Sequence, residues 1–455
     1  MLRSIALLAA LLLACGPRLA FADASPDSAV APAVSDSAGV STDSDSVDTS
    51  ADADSVLQAE PPERTGFGDE PLRVLRVESA DAGWRRAPFG DELLTHPDPW
   101  RERHPDGGVD GNLVLDYNRV DLVRYGASVQ AQKPQSMDPR VGARLEYSTG
   151  RDRVLYGLQA EQPLLPTARF VFGVAVVRRT DHGDLEQIED DENSLMLLAA
   201  HEDWRDYFER EGAGAYLSWR VPDFSTVSVH LRDDRYRSLA ENPHVHSWWN
   251  LDEPLRPNPS IDDGDAHSVF VRLERLARRR QRGRSGLYHW IELERSGGRV
   301  LGGDFDYTRV LADVRSILRV LPGSTVTLRA VGGSTLEGRL PRQREFVIGG
   351  VDGLRAHAFG AFRGDRVALG QAEWSMGLRV PGARSREQGP RALAFLDSGT
   401  AWDRATLGEL AEQHFALDGG VGLATPDDEL RITVARNLQV PDSGIVVAMR
   451  LNRPF

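Results

Sequence analysis

The chain has 455 residues, with 54 Lys and Arg against 68 Asp and Glu for a formal net charge of −14, and a single cysteine, Cys15. Its mean hydropathy is −0.37, and no apolar run approaches the roughly 18–20 residues that a membrane-crossing helix needs. Together these exclude a helical membrane protein, a disulfide framework and a cysteine metal site, and the acidic balance argues against a nucleic-acid binder, which carries a basic stripe. A membrane β-barrel stays open, because alternating strands hide their hydrophobicity.

Residues 1–22 read as a secretory signal: Arg3 gives the positive start, Ile5 to Ala14 are ten consecutive apolar residues, and Ala20-Phe21-Ala22 supplies the small-x-small cleavage site. A lipoprotein cut before Cys15 is the alternative, and Leu13 fits it poorly. From Asp23 to Glu63 there are ten acidic residues and no Lys or Arg, in a background of Ser, Ala, Asp and Pro that has almost nothing to bury. Such a segment is expected to be disordered, as a solvated spacer rather than an interaction arm. Residues 64–110 hold one short strand-like run, Leu72 to Val77, and read as a periplasmic or plug-like lead-in too small to fold alone.

Beyond Gly111 the chain settles into segments of about ten residues with period-two alternation between turns, the cumulative signature of a β-barrel. Leu113, Leu115 and Tyr117 alternate with Asn112, Asp116 and Asn118. Val227, Val229 and Leu231 alternate with Ser228, His230 and Arg232, and Leu430, Ile432 and Val434 with Arg431 and Thr433. The segments predict an all-β fold: a 16-stranded antiparallel transmembrane barrel over 111–455, since an even strand count returns the C-terminus to the starting side. Connection lengths agree, with the long ones at 180–210, 236–266, 334–365 and 399–412 all falling on the outward side.

One outward loop breaks the pattern. Leu195, Leu198, Ala199, Glu202 and Tyr207 follow helical spacing, which predicts a short helix over Ser194 to Phe208. Its acidic approach, Asp181 to Glu192, suits either a solvated loop or a divalent cation, the solvated loop being favoured. His244 and His246 lack a third ligand and read as a plain loop, and Arg278 to Arg284 as an exposed basic turn. No nucleophile elbow, paired catalytic carboxylates, phosphate loop or metal constellation stands in convincing context, so neither an enzyme nor a cofactor is expected.

From Phe346 to Arg379 the sequence reads FVIGGVDGLRAHAFGAFRGDRVALGQAEWSMGLR. Gly349, Gly350 and Gly353 precede Leu354 and Arg355; Glu373 follows on a strand, and Phe395-Leu396-Asp397-Ser398-Gly399 on the next. Period-two parity sets Glu373 with Ser375 and against Ala372, Trp374 and Met376, so its carboxylate faces the lumen of a membrane barrel. A guanidinium on an inward-folded loop can bridge Glu373 and Asp397, either as a staple or as a conformational latch.

In this layout the chain resembles the BamA/TamA outer-membrane assembly superfamily, also called the bacterial surface antigen family. Its members carry a glycine-rich segment and a hydrophobic-Arg-Gly-aromatic tetrad at the tip of a loop folded into the barrel, here between the eleventh and twelfth predicted strands. The chain departs from that tetrad at Ala356 and His357, and 47 residues between tail and barrel cannot hold the repeated receptor domains typical of the family. The last strand, with Val447, Met449, Leu451 and terminal Phe455, looks like the C-terminal signal read by the outer-membrane insertion machinery.

The resemblance implies an outer-membrane protein with its tail in the periplasm. It would assist insertion or translocation of polypeptides without a cofactor; the alternative is a passive pore that keeps the scaffold. Implied partners are outer-membrane lipid and lipopolysaccharide, the insertion machinery, polypeptide clients and a separate periplasmic receptor, but no nucleic acid.

Overall fold

The computed structural model describes residues 108–451, apart from 133–136, 166–169, 186–187, 221–224, 250–253, 276–284, 380–385, 405–409, 411–412 and 429. The signal, the acidic tail, the lead-in as far as residue 107, the basic turn and Phe455 lie outside the described residues.

A single 16-stranded antiparallel sheet runs in chain order. Its first half comprises β1 (Gly108–Asn118), β2 (Leu122–Gln132), β3 (Arg140–Ser148), β4 (Arg153–Pro163), β5 (Phe170–His182), β6 (Tyr207–Arg220), β7 (Thr226–Ser238) and β8 (Gly264–Arg275). The second half comprises β9 (Gly286–Ser296), β10 (Tyr307–Leu321), β11 (Ser324–Gly338), β14 (Arg366–Gly377), β15 (Arg391–Trp402), β16 (Ala416–Ala424), β17 (Arg431–Asn437) and β18 (Ile445–Arg450). A separate hairpin, β12 (Phe346–Ile348) and β13 (Phe362–Gly364), forms inside the long connection from β11 to β14. Each strand pairs with its sheet neighbour, but among the described residues no ladder joins β18 to β1.

The alternation produces a wall turned inside out relative to a water-soluble sandwich. On β7 Leu231 is 55% exposed while its neighbour Arg232 is only 5% exposed, and Ser228, His230 and Asp234 are buried with it. Apolar side chains such as Leu145, Leu158, Leu217 and Val421 stand on the outer face, where only lipid makes their exposure favourable. The charges on the inner face meet across strands. Arg210 of β6 reaches Asp181 of β5 at 2.9 Å and Asp234 of β7 at 3.5 Å, and Arg272 of β8 reaches Glu292 of β9 at 2.7 Å.

Within the barrel an apolar patch gathers Leu311, Val331, Val367 and Leu369 from the wall with Phe346, Ile348 and Leu354 from the inward loop. This patch fixes the depth at which the loop rests.

The connection from β5 to β6 carries α1 (Asp190–Ala200), which differs from the predicted span. Asp190, Asp191 and Glu192 fill the first turn, where acidic groups complement the helix dipole, so the helix begins before Ser194. His201 takes the left-handed conformation and closes it, and Tyr207 and Phe208 open β6 instead. The acidic approach is neither a solvated loop nor a cation site: Asp184 pairs with Arg309 and Arg344, Asp190 with Arg124 and Arg205, and Glu192 with Arg450. Distant arginines supply partners that no local pattern displays.

Candidate functional site

The site lies where the tip of the β11–β14 connection meets the inner wall. Gly349 and Gly350 sit at φ of 123° and 72°, conformations costly for any other residue, and they turn the chain out of β12 toward the wall. The tip is then cross-bonded: Gly350 N donates to His357 O at 2.9 Å, Gly353 N to Gly350 O at 3.1 Å, and His357 N to Leu354 O at 3.0 Å. Leu354, fully buried, inserts into the apolar patch and orients its neighbour, Arg355.

Arg355 makes the central contact. Its Nε and Nη2 donate to the two oxygens of Asp397 at 2.7 and 2.8 Å, and Nη1 donates to Glu373 Oε2 at 3.0 Å. Two parallel bonds to one carboxylate are the strong geometry for a planar guanidinium. The guanidinium also lies 3.4 Å from the centroid of the Phe395 ring. Gly420 faces Phe395 across the β15–β16 ladder, and a Cβ there would fall 2.4 Å from the ring, so only glycine lets the ring lie flat. Burial opposes the charge on Arg355, but the Asp397 and Glu373 carboxylates more than offset it and hold the guanidinium above its ordinary value.

The register explains why the wall needs the loop. Asp397 on β15 stands directly opposite Asp418 on β16, and both are fully buried. Like charges at facing positions repel, the more so away from water. The tip supplies a partner to each. Arg355 takes Asp397, while Ala356 N donates to Asp418 Oδ2 at 2.7 Å and His357 Nδ1 lies 3.1 Å from the same oxygen. With Nδ1 donating to Asp418, His357 Nε2 accepts from Asn437 Nδ2 at 3.3 Å, and its ring packs edge-on against Phe362. At Ala356 and His357 a backbone N–H and an imidazole therefore hold the second carboxylate.

The network extends around the wall. Glu373 also accepts from Arg431 Nη2 at 3.0 Å, and Arg431 is braced by Asp428 at 2.7 and 2.8 Å. Gln371 Nε2 donates to Gly353 O at 2.8 Å, Arg329 Nη1 donates to Asp352 O at 2.8 Å, and Arg450 of β18 reaches Asp352 Oδ1 at 2.6 Å. The tip thus contacts the sheet from β11 to its last strand.

This geometry can be set beside known structures. BamA from Haemophilus ducreyi lacking POTRA domains 1–3 aligns over 75% of this chain and 68% of that one, with a TM-score of 0.51 and 13% identity. The fold is BamA-like. CdiB from Acinetobacter baumannii aligns with a TM-score of 0.42 at 14% identity, over 75% of this chain and 59% of its own. CdiB from Escherichia coli aligns with a TM-score of 0.42 at 13% identity, over 75% and 62%. No protein-family model and no curated protein matches the sequence.

Of the residues singled out from sequence, Gly349, Gly350, Gly353, Leu354, Arg355, Glu373 and Asp397 meet in this one cluster. Val447 and Met449 take the other face of β18, opposite in parity to buried Ala448 and Arg450, and Leu451 follows the strand end. Sequence reasoning missed Asp418, Arg431, Asp352 and Arg450. Arg431 and Arg450 had a visible signal, their inward parity beside Ile432 and Val434 and beside Val447 and Met449.

Proposed function

We propose that this chain is an outer-membrane barrel that assists insertion or translocation of other polypeptides at the seam between β1 and β18, without a cofactor. The observation that carries this reading is that, among the described residues, no ladder joins β18 to β1 while every other neighbouring pair in the sheet is laddered. Two strand edges that lack each other leave backbone groups to which an extended client segment can add, exchanging hydrogen bonds at little net cost. The Arg355 cluster holds the neighbouring wall in one arrangement while the edges exchange partners, which is the role of a latch. The likeness to BamA supports the fold and, through it, a place in the outer membrane, where lipid and lipopolysaccharide would surround the wall. The tail would then face the periplasm, the last strand would be read by the insertion machinery, and a separate receptor would bring clients.

The rival reading, a passive pore, expects an open lumen. Here the loop tip and α1 both lie inside the wall and converge on Arg450.

The test is the folding rate of a denatured outer-membrane protein into liposomes that contain the native barrel, the Arg355→Ala barrel or no protein. Acceleration by the native barrel that the variant loses is expected. Equal rates in all three, with the barrels themselves folded, would refute the assembly role and make ion conductance the next measurement.

A further inference from the structure

The seam has a second closure, made by α1. On one side, Ser194 Oγ accepts from the backbone N of Tyr117 on β1 at 2.9 Å and donates to Asp116 Oδ1 at 2.6 Å. On the other side, Glu192 Oε1 accepts from the backbone N of Leu451, just past β18, at 2.8 Å, and from Arg450 Nε at 2.8 Å. In a ladder, alternate N–H groups point to one neighbour, so the Tyr117 N–H, which bonds Ser194 rather than β2, points toward the seam. Side chains of one helix, two residues apart, therefore satisfy backbone donors on both sides of the gap that β1 and β18 leave among the described residues.

The two attachments are unequal. Away from β18 α1 is moored many times: Ser194 bonds β1, Asp190 bonds Arg124 of β2 at 3.1 Å, and Asn193 donates to Asp203 at 3.0 Å and to the hydroxyl of Tyr207, the first residue of β6, at 2.8 Å. On the β18 side the attachment runs through the Glu192 carboxylate. Arg450, its partner, is shared with Asp352 of the loop tip and keeps a counter-charge when Glu192 withdraws.

We infer that α1 is a clasp across the seam, hinged on β1 and β2, with Glu192 as its catch on β18. A strand arriving at the seam needs the donors that Ser194 and Glu192 hold, so the catch must release before a client can pair. Release strands no buried cation, because Asp352 retains Arg450. This inference deepens the assembly reading and rests on it for its biological use, though the clasp itself is a property of the barrel.

The test places nitroxide labels on outward-facing positions of the edge strands, Leu115→Cys and Val447→Cys, in the full chain with Cys15→Ser. Inter-label distances are measured in liposomes for the native background, Glu192→Ala, Glu192→Gln and Ser194→Ala, with heat-modifiable gel migration showing that each barrel is folded. Glu192→Ala is expected to raise the long-distance population roughly tenfold or more, a modest share of the effect of breaking a buried ion pair. Glu192→Gln, which keeps an acceptor for Leu451, should raise it less, and Ser194→Ala less again because the hinge has other moorings. An unchanged distribution in folded Glu192→Ala barrels would overturn the clasp, whatever clients do. A seam that loosens while client folding stays at the rate of empty liposomes would support the clasp and refute the assembly reading.

Discussion

The loop tip and α1 both enter the barrel and both end at Arg450, yet they are held by different physics. The tip buries Leu354 in an apolar patch and sets a bidentate Arg355 against a carboxylate that faces another carboxylate. Removing it would leave Asp397 and Asp418 facing each other without the partners that the tip supplies. At β18 the Glu192 carboxylate of α1 takes one bond from the Arg450 guanidinium and one from the backbone N of Leu451. An element whose loss strands buried charge is a permanent part of the wall. A contact whose release leaves the buried cation paired, as Arg450 is left with Asp352, can let go.

Substitutions break that comparison in order of size. Arg355→Ala should cost most, about 3–5 kcal/mol, because it takes the cation from buried Asp397; the expected readout is a marked fall in the temperature at which the barrel loses its folded gel mobility. Leu354→Ala follows at about 2–5 kcal/mol for a fully buried leucine. The same thermal assay checks it, and a result within error of native would mean that the tip is held by charge alone. His357→Phe should cost about 1–3 kcal/mol, since Asp418 keeps the Ala356 N–H while Asn437 loses its acceptor. Urea titration in detergent resolves a change of that size. Glu192→Ala should shift unfolding little although it opens the seam, and an equal loss of stability with Arg355→Ala would erase the distinction. Arg235→Ala, at a solvent-exposed pair with Asp265, is the control and should leave unfolding unchanged.

What the sequence displays follows from the range of each interaction. The wall is legible because facing is decided within a few residues: Ser228, His230 and Arg232 take one parity and Val229 and Leu231 the other. The same parity puts Glu373 and Asp397 on the inner face, where an arginine at a glycine-rich tip can reach them. Asp418 was not legible, because its importance comes from standing opposite Asp397, and that register depends on the whole β15–β16 pairing. The helix was misplaced for a related reason. Asp190 to Glu192 look like solvated loop residues until Arg124 and Arg450, 66 and 258 residues away, are brought to them. Charge in a barrel interior is paired by closure of the sheet, which no local window contains.

The inside-out wall also constrains the order in which this chain can assemble. An arginine facing lipid near the bilayer midplane costs about 2–4 kcal/mol, and β6, β8 and β11 each carry one, Arg210, Arg272 and Arg329, on the inner face. Their counter-charges lie on neighbouring strands: Asp181 on β5 for Arg210, Glu292 on β9 for Arg272 and Asp313 on β10 for Arg329. A strand crossing alone would drag an unmatched cation through hydrocarbon. Neighbouring strands must therefore pair in register at the membrane surface and go in together, each arginine carried across with its counter-charge already beside it.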